Sequence, residues 1–149
     1  MLRATYDVNL HHASNHPVRR TERRSDCPIN FALQTFGDSW SLLVIRDLMF
    51  TESRTYAAFL AAGEGIATNI LAARLKHLQQ VGLITRRGPE YALTRKGLDL
   101  LPAMLDLVAW SAKYDKRTAA PKAFVARINR DRDALLAELG EQLRQAYDL

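Results

Sequence analysis

A mainly α fold carrying one short two-stranded ribbon is what this sequence predicts, on three observations. Leu71, Leu75, Leu78 and Gly82 fall at i, i+4, i+7 and i+11, so one apolar stripe ends at a glycine, as in an amphipathic helix. Directly after it, two β-prone runs, Leu83–Arg87 and Glu90–Thr94, flank Gly88-Pro89, which reads as a tight hairpin. From Thr68 to Gly97, six basic residues (Arg74, Lys76, Arg86, Arg87, Arg95, Lys96) stand against one acid, Glu90, a surplus equal to the formal +5 of the whole chain. A basic helix followed by a basic hairpin is the sequence form of a winged helix-turn-helix, whose helix enters the DNA major groove.

Composition bounds the rest. A chain of 149 residues fits one domain with a proper core plus an appended element, and 48% apolar with 25% charged residues is globular. The richest apolar window, Leu98–Trp110, is broken by Asp99, Pro102 and Asp106, so no run could span a bilayer. The first residues lack the apolar core of a signal peptide, and the expected location is therefore cytoplasmic. A single cysteine excludes an intrachain disulfide but leaves an intermolecular one open. A pI near 9.7 favours an anionic partner. Because the charge clusters on the helix–hairpin unit, that partner is nucleic acid rather than membrane.

Taken in order, residues 1–24 read as a flexible basic arm with four arginines between Arg19 and Arg24. His11, His12 and His16 lie there without the Cys or carboxylate framework of a metal site, so no metal is expected. The DNA-binding domain with its dimerisation helix is expected over 25–115. Pro28 suits the first position of a helix capped by Asp26 or Cys27, with Ala32, Leu33 and Phe36 buried and Gly37 at its end. Asp38-Ser39 caps a central core helix from Trp40 to Phe50; within it, Arg46 and Asp47 read as a structural ion pair, or Arg46 as a phosphate ligand. A short helix over Thr55–Ala62, with Tyr56, Phe59 and Leu60 inward, leads through Gly63 and Gly65 into the basic helix.

That helix starts with Thr68 or Ala67 at its cap, threonine being the better acceptor. With the leucines inward, Thr68, Asn69, Ala72, Ala73 and Lys76 lie outward and Arg74 on the flank. Small residues at 72 and 73 let the backbone approach a groove floor; Asn69 can pair bidentately with adenine, and Arg74 with guanine or a phosphate. The competing reading is the solvated face of an ordinary core helix. Arg86 and Arg87 supply the wing. Gly88-Pro89 suits a type II′ turn, and a hairpin this small must lie on helices to persist. Arg54, Thr55 and Tyr56 stand near the start of the first reading helix, where a DNA-backbone contact is expected.

These residues carry a resemblance. Cys27-Pro28, Gly37-Asp38-Ser39-Trp40-Ser41-Leu42-Leu43, Ile45-Arg46-Asp47-Leu48, Arg54-Thr55-Tyr56, Gly65-Ile66-Ala67, Leu71-Ala72-Ala73-Arg74-Leu75, Gly82-Leu83-Ile84 and Leu93-Thr94-Arg95-Lys96-Gly97 resemble the HxlR-type family over roughly 26–112. That family comprises dimeric bacterial winged-helix transcription regulators related to the MarR type. The resemblance implies a homodimer on double-stranded DNA, with the recognition helix over Thr68–Val81, acting as repressor or activator. Several members of that family sense electrophiles or oxidants through a cysteine near the position of Cys27, so the resemblance implies that role for Cys27. Two features depart from the family pattern: the hairpin loop is short for its wing, and the chain runs on past the usual end.

From Thr94 a helix with two apolar stripes is expected. Leu98, Leu101, Leu105, Val108 and Ala112 would pack on the domain itself, while Leu100, Met104 and Leu107, with Trp110 beyond, would meet a second subunit. Pro102 must kink this helix or lie where its lost hydrogen bond is tolerated. After a polar break at Lys116–Pro121, one helix over 122–147 (in a segment 116–149) carries Phe124, Ile128, Leu135, Leu139 and Leu143 as dimer interface or core cover.

Three function classes compete: a dimeric transcription regulator on an inverted repeat, responsive to an oxidant or small-molecule effector; a winged helix used as a protein-interaction module on an acidic partner; and a thiol-dependent enzyme. Cys27 lies far in sequence from His77, and neither a Gly-rich phosphate loop nor a paired carboxylate motif appears, so neither catalysis nor a cofactor is expected. Cys27 at a helix start, near Arg23 and Arg24, is a candidate redox sensor; otherwise it is a small buried hydrophobe.

Overall fold

The computed structural model describes residues 25–51 and 53–149. The expected arm over 1–24 and its histidines lie outside them. In order the elements are α1 (Pro28–Phe36), α2 (Ser41–Phe50), α3 (Tyr56–Ala61), α4 (Thr68–Gln80), β1 (Ile84–Arg87), β2 (Glu90–Leu93), α5 (Arg95–Leu98), α6 (Leu101–Tyr114), α7 (Lys122–Arg130) and α8 (Arg132–Tyr147). This is a winged helix-turn-helix, α3 and α4 being the paired helices and β1–β2 the wing. Among the described residues, no helix is long and apolar enough to cross a membrane.

The core gathers on α2, whose Val44, Ile45, Leu48 and Met49 are buried against Leu71, Leu75 and Leu78 of α4 and against the wing strands. Asp38 starts α2 as expected, its Oδ1 accepting from the amides of Trp40 (2.9 Å) and Ser41 (3.0 Å). The helix opens at Ser41, one residue later than expected. Thr55 caps α3 by accepting from the Ala58 amide at 3.2 Å. At α4 the cap is Ala67, not Thr68, and no side chain serves it.

The antiparallel wing pairs Ile84 with Leu93 and Arg87 with Glu90, leaving the two-residue loop expected, with Gly88 at φ +62°. A bridge from Thr55 to Glu90 and a 2.7 Å bond from the Tyr91 amide to the Arg54 carbonyl dock this hairpin on the entrance to α3. Behind it, Thr94 accepts from the Gly97 amide at 3.1 Å and donates to the Gly82 carbonyl at 2.7 Å. A side chain at 97 could not be accommodated, because its Cβ would sit 2.1 Å from the Leu83 carbonyl oxygen.

Three expectations are corrected. The helix from Thr94 is two helices, with Pro102 in the first turn of α6, where a missing N–H costs nothing. The helix expected over 122–147 breaks at Asp131 (φ −146°, ψ 52°). Straight, it would run about 39 Å at 1.5 Å per residue and leave the core. The break lays α7 on α6 and returns α8 across α5 and α6, where Arg132 pairs with Asp106 of α6 at 2.9 and 2.8 Å. Leu33 of α1 is not buried but 62% exposed, beside exposed Ile29 and Phe31. Helix α1 turns Thr35 inward instead, where its carbonyl lies 2.8 Å from Nε2 of His77 on α4.

Helices α7 and α8 close the core. Ile128, Leu135 and Leu143 are buried, Phe124 packs edge-on against Phe50 at 6.0 Å, and the buried Tyr147 hydroxyl donates to the Leu48 carbonyl at 2.6 Å.

Candidate nucleic-acid interface

The turn between the paired helices is clamped from below. Arg46 of α2 donates through Nε and Nη2 to Asp47 Oδ1 (2.8 and 2.6 Å) and through Nη1 to Glu64 of the turn (2.6 Å). Partial burial acts to lower the Arg46 pKa, but the hydrogen bonds and charges of Glu64 and Asp47 outweigh it and raise the pKa. The ion-pair reading of Arg46 therefore describes its place within the chain. From above, the Tyr56 hydroxyl of α3 donates to the Thr68 carbonyl at 2.7 Å, fixing the first turn of α4.

So held, α4 presents Thr68, Asn69, Ala72, Ala73 and Lys76 as exposed residues. Gln80, four residues beyond Lys76, is exposed on the same face. The sequence reading omitted it, although the spacing 69, 73, 76, 80 carries the signal. Arg74 sits on the flank and donates to Asp38 at 3.2 Å, which ties the recognition helix to the cap of α2. Burial pushes the Asp38 carboxyl up, yet bonds from Ser41, the Trp40 and Ser41 amides and Arg74 prevail and hold it below the usual carboxylate value.

Several basic residues expected at DNA are engaged within the chain. Arg54 lies 4.6 Å over the Tyr147 ring and reaches the Ala146 carbonyl at 3.5 Å. Arg87 donates to the Tyr147 carbonyl at 3.1 Å and to Asp148 at 3.3 Å, so it serves the last turn of α8. Lys96 donates to the Val81 carbonyl at 2.7 Å, at the end of α4. Arg86 is exposed, folded along the wing by a 3.0 Å bond to the Gly88 carbonyl. Thr55 is occupied as the cap of α3. Lys76 and Arg95 are exposed cations with no partner among the described residues.

Helix α4 with its small-residue centre, the clamped turn before it and the short wing after it all lie within residues 35–119, which match a model of the HxlR-like helix-turn-helix family. The chain belongs to that family. It is 35% identical over 97 residues to the uncharacterised HTH-type transcriptional regulator Rv3095 of Mycobacterium tuberculosis, covering 60% of each chain. It is 30% identical over 108 residues to the uncharacterised HTH-type transcriptional regulator YdeP of Bacillus subtilis, covering 65% of this chain and 84% of that one. The chain thus spans about 60% of the length of the mycobacterial relatives it matches. Among solved structures, quinone-bound YodB from B. subtilis superimposes with a TM-score of 0.53 at 30% identity, covering 59% of this chain and 100% of that one.

Against the HxlR-like frame, the remaining expected residues divide. Of the proposed interface residues, Leu107 (46% exposed) and Trp110 (63%) are open, and Trp110 lies 5.4 Å from the exposed Tyr114 ring. Met104, only 6% exposed, belongs to the chain's own core, and Leu100 is half-buried against it. Cys27 is half-buried at the start of α1, its carbonyl accepting from the Phe31 amide at 3.0 Å.

Proposed function

We propose that this HxlR-like chain is a sequence-specific regulator of transcription, binding double-stranded DNA as a homodimer on an inverted repeat and acting as a repressor in the cytoplasm. The outward face of α4 carries the reading. Thr68, Asn69, Ala72, Ala73 and Lys76 are exposed, and their side chains are bound to nothing among the described residues, while the helix beneath them is held at its first turn by Tyr56 and at its end by Lys96. Alanines at the centre admit the groove floor, Asn69 matches the adenine edge, and Lys76 suits a phosphate. The exposed Leu107 and Trp110 on α6 supply apolar surface for a second subunit, whose recognition helix must sit one DNA turn away, roughly 34–36 Å. An oxidant acting at Cys27 is the effector this reading favours, since α1 leans on α4 through His77 and a shift of α1 would reach the reading helix.

The test is to sequence duplex fragments that the protein retains and then measure affinity for them against salt. Asn69→Ala relaxes base preference at one position of each half-site and costs about 1–3 kcal/mol. Arg86→Ala weakens all sequences alike and flattens the salt slope by about one unit. Unchanged affinity and preference in Asn69→Ala would sink the placement of the recognition helix. Binding that ignores salt would favour a protein partner instead.

A further inference from the structure

Between α6 and α7 lies a groove that the DNA-reading surface does not use. It consists of two contiguous lobes of about 390 and 420 Å³, a size that holds a small organic molecule. Its floor is small and apolar, Ala109 and Ala112 of α6 facing Val125 of α7, with exposed Trp110 along one side. Its rim carries Lys113, Lys116 and Lys122, and no acidic side chain lines either lobe.

That charge is uncompensated for a specific reason. Three acids of the surrounding elements are taken by arginines, Asp115 by Arg117, Glu138 by Arg127 and Asp106 by Arg132, and Asp131 acts on Arg127. Lys116 and Lys122 have no partner among the described residues. The first turn of α7 opens on the same groove, with Pro121 at its cap, no capping side chain and no acid to meet its free amides.

We propose that this groove binds an amphipathic organic anion: a flat apolar body lying on Ala109, Ala112 and Val125 beside Trp110, with a carboxylate held by Lys116 and Lys122. Trp110 stands where the groove borders the surface proposed for a second subunit, but the lysine-lined lobes themselves suit a second copy worse, because a twofold contact centred on them sets the three lysines against the same three lysines. One wall of the groove, from Ala120 to Asn129, lies beyond the segment 35–119 that matches the family. The site is therefore built in part by chain outside the shared domain. Any effect of the ligand on transcription rests on the regulator reading, but binding itself does not.

The experiment titrates 2-naphthoate into the full chain by calorimetry, without DNA, beside its neutral carboxamide and its cationic aminomethyl counterpart. Naphthoate is expected to saturate one site per chain, the carboxamide to bind roughly tenfold more weakly and the cation not at all. The double variant Lys116→Gln, Lys122→Gln should weaken naphthoate by roughly tenfold while its thermal unfolding stays unchanged, both side chains being exposed. Equal binding of acid and cation, naphthoate binding indifferent to the double variant, or no saturable binding would each overturn the proposal. So would loss of self-association in the double variant together with no naphthoate bound by the wild type, which would make the groove a subunit contact.

Discussion

Tyr147→Phe removes one oxygen atom and nothing else. The Leu48 carbonyl lies in the last turn of α2, where carbonyls run out of intrahelical donors, and the buried Tyr147 hydroxyl fills that need at 2.6 Å. Phenylalanine keeps the apolar burial and the stacking under Arg54 but leaves a buried acceptor unmet, at a cost of about 1–3 kcal/mol. In a chain of this size each kcal/mol moves the melting midpoint by about 2–4 °C, so a loss of about 2 kcal/mol lowers it by about 4–8 °C. Burial raises the Tyr147 pKa above the ordinary 10.0; the Arg54 charge opposes this and Glu90 reinforces it. A raised folded pKa means that the contribution is fully present below pH 10.0 and is lost as the pH rises through the folded value. Urea unfolding of both proteins across neutral and alkaline pH therefore shows a gap at pH 7 that narrows above pH 10. A variant within about 0.5 kcal/mol of wild type at neutral pH would show that the bond contributes nothing net.

Other expectations can be checked with purified variants. Asp38→Ala removes the α2 cap and the Arg74 bond, costing about 1 kcal/mol at pH 7. Because the folded Asp38 pKa is lowered from 3.8, that cost fades as the pH falls through the folded value, as denaturant titrations at acid pH will show. Leu107→Glu, at an exposed site, should leave the melting midpoint nearly unchanged but yield monomer in sedimentation; a fully dimeric variant removes Leu107 from the interface. Mild diamide should reduce the DNA affinity of wild type and not of Cys27→Ser. Equal responses would make the thiol structural.

The parts of this fold legible in the sequence are those specified by near neighbours. Thr94 caps a helix through the amide three residues ahead, Gly88 makes a two-residue turn, and the leucines of α4 share a stripe within one helix. The two helix breaks were hidden because apolar spacing continues across Leu98–Leu101 and across Asp131 while the axis changes direction. Partners of the basic residues were hidden by distance along the chain: Arg74 meets Asp38 across 36 residues, Arg87 meets Asp148 across 61, and Arg54 meets Ala146 across 92. A count of cations reports a surplus, but only the packed chain decides which guanidinium faces solvent. Leu33 and Met104 erred in opposite senses, one exposed and one buried, because periodicity identifies an apolar face without saying which surface covers it.

The bond from Tyr147 to Leu48 spans 99 residues, and this separation orders events during synthesis. Elements α2 through the wing emerge from the ribosome well before α8 exists, and neighbouring contacts among α2, α3, α4 and the hairpin can form then. In that interval Arg54 and Arg87 have none of their C-terminal partners, and the last carbonyls of α2 face water. The nascent chain is thus more cationic at the wing than the finished one. Arrival of α8 both completes the core and engages the two arginines beside the wing, Arg54 on the Tyr147 ring and Arg87 on Asp148. Until α8 packs, the wing side of a half-made chain therefore carries two arginines without these partners, and the docking of Tyr147 is the step that ends that interval.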